Sequence, residues 1–113
     1  MPQSFACVYL HVVFSTKNRT PQIDAELAPR LYEYLGGVIR GNTGRLVAVG
    51  GMPDHVHLVV SMGREITIAD SVRTAKVGAS RWVHDTFPDR PGFGWQNGYG
   101  AFGVSASALD RVI

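Results

Sequence analysis

The spacing of apolar residues changes period several times along the chain, and each change marks an element. Residues 5–15 (FACVYLHVVFS) are rich in β-branched and aromatic side chains and predict a first strand, closed by the polar turn Thr16-Lys17-Asn18-Arg19-Thr20-Pro21. Over residues 26–40 the period becomes helical, with Leu27, Leu31, Tyr34, Leu35, Val38 and Ile39 on one face. Pro29 is tolerated there only in the first turn, and Gly41-Asn42 supplies the stop. Residues 45–50 (RLVAVG) and 55–62 (HVHLVVSM) predict two short strands joined by the turn residues Gly51-Met52-Pro53-Asp54, which makes a hairpin.

A second helix is expected over residues 67–87. Its stripe is Val72, Ala75, Ala79, Trp82 and Val83, edged by Arg73, Lys76 and Ser80. Residues 88–98 hold three Gly and two Pro and predict a loop, followed by a fourth strand over residues 99–105 (YGAFGVS) that Gly100 and Gly103 weaken. The order βαββαβ predicts an α+β, ferredoxin-like sandwich: a four-stranded antiparallel sheet with two helices on one face. Such a fold names no function. It does leave one sheet face without helices, available to a ligand, a second copy, or both.

Composition narrows the classes. A chain of 113 residues makes a single domain, 45% hydrophobic and 18% charged, with no apolar run near the roughly 20 residues that span a bilayer. Cys7 is the only cysteine and no secretory leader pattern opens the chain, so a reducing cytoplasm is the expected location. Net charge is only +2, although nine of the eleven basic residues are Arg, the side chain best shaped for bidentate phosphate contacts. Charge alone therefore leans toward nucleic acid without deciding it.

The chemistry sits in GMPDHVHLVV. His55 and His57 are two apart in a strand, so they share a face at roughly 7 Å between Cα atoms and could hold one metal ion. Two hydrogen-bonded, partly buried histidines would produce the same spacing. His11, among Val and Leu in the first strand, reads as a satisfied core or edge histidine and is not counted as a ligand. Asp54 either orients an imidazole or simply makes the turn.

GMPDHVHLVVS, the Thr16-Lys17-Asn18-Arg19 turn and WQNGYGAFGVS (residues 95–105) together resemble the single-tyrosine HUH transposases of the insertion-sequence 200/605 type, across essentially the whole chain. That resemblance implies a small dimeric enzyme that cuts and rejoins single-stranded DNA at hairpin-marked ends of a mobile element or palindromic repeat. It further implies a divalent metal, Mg²⁺ or Mn²⁺, held by His55 and His57 against the scissile phosphate, and a tyrosine that becomes joined to the 5′ phosphate.

In the family the attacking tyrosine lies on a helix after the WQ-x-GYGAF-type strand, with a glutamine ligand one turn later. Here Ser107-Ala108-Leu109-Asp110 matches a helix opening and only Arg111-Val112-Ile113 follow, so the expectation is a domain cut within an element, without its nucleophile. Tyr99 is the obvious substitute, but it occupies a place where the family carries a non-nucleophilic aromatic, and packing or DNA stacking is expected of it. Tyr9, Tyr32 and Tyr34 read as packing residues. Gln96 or Asn97 could in principle replace the missing amide ligand, although loop amides more often bond backbone or bases. Lys17, Arg19, Arg73 and Lys76 are candidate phosphate contacts, Trp95 a candidate stacking platform and Gln96 a candidate base contact.

Three functions remain on these grounds: a DNA strand transferase whose present chain lacks its nucleophile, a binding-only remnant that recognises hairpin DNA, and, ignoring the resemblance, a ferredoxin-like small-molecule or metal-sensing domain. The first is the expectation carried forward, with a homodimer, a single-stranded hairpin and no membrane as its partners.

Overall fold

A computed structural model describes residues 9–41, 45–61 and 68–104. Their elements run β1 (Tyr9–Ser15), a 3₁₀ turn (Lys17–Arg19), α1 (Leu27–Gly41), β2 (Arg45–Met52), β3 (His55–Ser61), α2 (Ile68–Thr86) and β4 (Gly100–Val104). The strands form one sheet in the order β2-β3-β1-β4, with every neighbouring pair antiparallel. This is the ferredoxin-like α+β sandwich that the alternation of periods predicts. The expected strand and helix ends at residues 5–8, 62, 67 and 105, and the helix opening at Ser107, lie outside the described residues.

Local chemistry explains where the boundaries fall. α1 begins at Leu27 because Asp24 caps it: Leu27 N–H donates to Asp24 Oδ1 at 2.9 Å and Ala28 N–H to its carbonyl at 2.9 Å. Such a cap contributes about 0.5–2 kcal/mol. Pro29 sits within the first turn as expected. β2 runs two residues further than its apolar pattern suggests, to Met52, because Gly51 and Met52 pair with Val56 and His55 and leave only Pro53-Asp54 as the turn. β4 starts at Gly100, one residue after Tyr99.

One sheet face carries the core. Val12 and Phe14 of β1 and Val56, Leu58 and Val60 of β3 are all buried, against Leu27, Leu31, Leu35 and Ile39 of α1 and Val72, Ala75, Ala79 and Val83 of α2. Each fully buried aliphatic or Phe side chain removes enough apolar surface from water to contribute about 1.5–3 kcal/mol. The helices meet where Gly78 gives way to Tyr34, whose ring stacks on Trp82 at 5.1 Å. Tyr34 is thus a packing residue, and so is Tyr32, whose hydroxyl is pushed above its ordinary pKa by burial.

Two adjacent glycines in β2 play opposite parts. A Cβ on Gly51 would stand 2.3 Å from the His55 carbonyl oxygen and 3.0 Å from Val56 Cα, whereas one on Gly50 would meet nothing within 4 Å. Both clashing atoms belong to the backbone of β3, so they cannot swing aside. Gly51→Ala is therefore expected to lower stability by about 1–3 kcal/mol, the usual range for overpacking, while Gly50→Ala changes it little. Urea unfolding of the two variants checks this, and equal effects would show that close strand approach is not what Gly51 provides.

Candidate functional site

The site lies on the helix-free face, and a bulge in β2 shapes it. Leu46 pairs with Val60 but Ala48 pairs with Val59, so Val47 is an extra residue in the ladder. An extra residue inverts the facing of every later position in the strand. Continuing the Leu46–Val60 register without a bulge would set Val49 opposite His57; the bulge sets Gly50 there instead. The missing side chain leaves a hollow of about 360 Å³ lined by His11, Ala48, Val49, Gly50, Gly51, His57 and Val59.

Alternation along β3 puts His55 and His57 on this face, since Val56 and Leu58 between and beyond them are buried in the core. Their ring centroids are 4.7 Å apart, with the planes inclined at 71°. His55 Nδ1 lies 2.7 Å from Asp54 Oδ1, and Asp54 Oδ2 lies 3.3 Å from Arg19 Nη2. The hydrogen bond from His55, followed by the Arg19 charge, holds the Asp54 carboxyl below its ordinary pKa, so it remains an ionised acceptor. Of the two roles read for Asp54 in the sequence, it performs both.

His11 belongs to this cluster. Pairing of β1 with β3 sets His11 opposite Val59 and Val13 opposite His57, which makes His11 and His57 diagonal neighbours on one face. His11 Nε2 lies 2.9 Å from His57 Nδ1, and the two rings stack at 5.1 Å. His11 is thus a satisfied histidine, as its setting in the first strand predicts, and the partner that satisfies it is His57. Parity alone could have placed it: Val12 and Phe14 face the core, so His11 must face away.

The rim gathers several of the other residues singled out in the sequence. Buried Thr16 pins it, with its N–H donating to the Asp54 carbonyl at 2.9 Å and its hydroxyl 2.6 Å from the Thr20 carbonyl. Lys17 and Arg19 are exposed in the 3₁₀ turn, where Asn18 and Arg19 adopt positive φ values of 57° and 54°. Gln96 closes the turn from the other side, its Oε1 accepting from Asn18 N–H at 2.8 Å.

Other candidates are committed to support. Lys76 Nζ donates to the Gln96 and Gly98 carbonyls at 2.6 and 2.9 Å, and burial lowers its pKa. Trp95 packs edge-on against Phe14 and Phe93, and its indole N–H donates to the Lys76 carbonyl at 3.1 Å. These two residues brace the loop before β4. Arg73 is exposed on α2 and paired with Asp70 one turn earlier. Tyr99 lines a separate hollow with Val13, Ser15, Gly98 and Phe102.

Chemically, the pair His55 and His57 offers two ring nitrogens. The Nδ1 atoms of His55 and His57 are engaged, which leaves their Nε2 atoms as the available donors. No group of three His, Cys, Asp or Glu side chains among the described residues is placed to hold an ion. A cation here would take two imidazoles and fill its other positions with water or phosphate oxygens.

Burial, and next the neighbouring charges of His55 and His11, hold His57 below the ordinary histidine value of 6.5. A depressed folded-state pKa means that the unfolded chain binds the proton more tightly. The stabilising contribution is therefore complete above about pH 6.5 and is lost as pH falls through the folded value. An NMR titration should give His57 a midpoint below 6.5, with part of the acid loss of thermal stability beginning in that same window. A midpoint above 6.5 would contradict this environment.

Comparison with known proteins finds a likeness along nearly the whole chain. A family model described as "Transposase IS200 like" matches residues 4–113. The ISDra2 transposase TnpA of Deinococcus radiodurans is 28% identical over 78 residues, covering 69% of this chain and 56% of its own length, so the chain spans little more than half of that relative. A solved candidate transposase from Deinococcus radiodurans R1 superposes with a TM-score of 0.80 at 27% identity, covering 94% of this chain and 85% of that one. A REP-associated tyrosine transposase bound to a REP hairpin shares the fold, with a TM-score of 0.65 at 14% identity over 95% of this chain and 61% of that one. A match running through nearly every residue, on a sandwich whose open face carries the His-x-His pair, places this chain in the IS200-like transposase family.

Proposed function

We propose that this chain acts in DNA transposition, as the metal-binding and DNA-binding part of a domain that cuts and rejoins single-stranded DNA at hairpin-marked ends through a 5′-phosphotyrosine. The observation that carries the proposal is the pair His55 and His57, each held at Nδ1, with both Nε2 atoms left on an open sheet face. Mg²⁺ or Mn²⁺ is the ion assigned to them. When bound, it supplies charge stabilisation at a phosphoryl oxygen during in-line displacement. Asp54 keeps His55 oriented, Arg19 fixes Asp54, and exposed Lys17 and Arg19 form a basic rim for the DNA backbone. Arg73, exposed on α2 and paired with Asp70, is a candidate phosphate contact outside that rim, while Gln96 holds the rim turn.

A hairpin is taken as the partner by analogy with the REP-associated relative, which was solved with one. Family membership favours this reading over a small-molecule or metal-sensing domain. Attack is assigned to a tyrosine on a helix following β4 in the family pattern, and Tyr99, in its separate hollow, is assigned to the wall beside the strand end. A homodimer and a cytoplasmic location complete the proposal. The dimer is supported by Met52 and Phe102, which are 58% and 60% exposed on the helix-free face, and by the edge strands β2 and β4. Among the described residues no helix is long and apolar enough to cross a membrane.

Mn²⁺ titration by calorimetry should show affinity in the parent and a clear loss in His55→Ala and in His57→Ala. Unchanged affinity in both variants would reduce the pair to a structural role. Binding of a single-stranded hairpin oligonucleotide should weaken as salt rises, with Lys17→Ala lowering the log–log slope by about one. On a denaturing gel, a covalent protein–DNA band that disappears in Tyr99→Phe would move the nucleophile to Tyr99.

A further inference from the structure

We infer that His11 is a positioning residue for His57: its Nε2 accepts the hydrogen bond from His57 Nδ1–H and thereby keeps His57 Nε2 free of a proton and turned to a divalent cation. The cation rests on the function proposed above; the tautomer does not.

The argument starts from one shared proton. Two neutral imidazole nitrogens 2.9 Å apart can hold only one hydrogen between them, so one ring donates and the other accepts. If His11 donated, His57 Nδ1 would be the acceptor and the proton of His57 would sit on Nε2, where it blocks the only lone pair left to a ligand. If His11 accepts, His57 carries its proton on Nδ1 and Nε2 is bare.

His55 shows which alternative matches. Its Nδ1 faces the Asp54 carboxylate at 2.7 Å, an acceptor with no proton to give, so its own proton is on Nδ1 and its Nε2 is bare. Two rings 4.7 Å apart then present the same nitrogen, one set by a carboxylate and the other by an imidazole. Placement fits the role. His11 is fixed in one of the two central strands of the sheet, stacked on His57 with planes 24° apart, and flanked on β4 by Phe102 at 6.3 Å. A partner that orients a metal-binding histidine in this way typically accounts for a 10–100-fold difference in metal affinity.

The test uses the whole 113-residue chain. Long-range ¹H–¹⁵N correlation spectra of the metal-free protein at mildly alkaline pH report which nitrogen of His57 carries the proton, and calorimetry with Mn²⁺ reports affinity. The parent should show His57 protonated at Nδ1. His11→Phe, which keeps a flat ring in the stack but cannot accept, should move the proton toward Nε2 and weaken Mn²⁺ binding about 10–100-fold. His11→Gln, whose amide oxygen accepts, should restore both. A role in packing alone predicts the reverse order, with Phe harmless and Gln damaging. His57 protonated at Nε2 in the parent, or parental tautomer and affinity in His11→Phe, would overturn the inference. A parent that binds no Mn²⁺ while its His57 proton still shifts in His11→Phe would uphold the positioning and remove the metal reading instead.

Discussion

Antiparallel pairing of β1 with β3 is the constraint on which the rest depends. Its register, Tyr9 with Ser61 through Ser15 with His55, places the two central strands so that Val12 and Phe14 fall on the same side as Val56, Leu58 and Val60. Burial of those side chains against both helices makes the register costly to change, because a slip of one residue would turn one strand's core side chains out to solvent. The same register leaves His11, His55 and His57 together on the opposite face. The apolar core and the polar site are thus two consequences of one ladder, and the core fixes the strands that carry the imidazoles.

Around that ladder, polar groups tie the loops alongside the apolar contacts of Ile23, Phe93 and Trp95. Thr16 joins the end of β1 to the turn before β3, Gln96 joins the loop before β4 to the 3₁₀ turn, and Lys76 holds that loop through two carbonyls. Arg90 reaches Asp24 and Glu26 at the start of α1, and His84 lies 2.8 Å from the Phe93 carbonyl. Backbone groups that would otherwise go unpaired in irregular segments find partners this way. The rim of the site is consequently organised before any ligand arrives, which reduces the ordering that a bound strand would have to impose.

Residues with the same chemistry were sorted by their surroundings into different work. Lys17 and Arg19 stay exposed at the rim, whereas Lys76, also a cation, is spent on the loop. Trp95 is aromatic enough to stack a base, yet its ring packs on Phe14 and Phe93 and its N–H is paired. Composition cannot make these distinctions, because it does not know which cation lies near an orphan carbonyl.

The sequence by itself determined the order of elements, the helix-free sheet face and the shared facing of His55 and His57. These come from local periodicity: apolar side chains every second residue fix a strand's inner face, and every third or fourth a helix's. Asp54 was legible as a neighbour of His55 for the same reason. Only the tertiary structure decided that His11 meets His57, that Val47 bulges so that Gly50 opens a hollow beside the imidazole, and that Lys76 and Trp95 serve the loop. Each of these depends on which residues of distant segments stand opposite one another. That register comes from packing the whole core at once, and no window of neighbouring residues contains it.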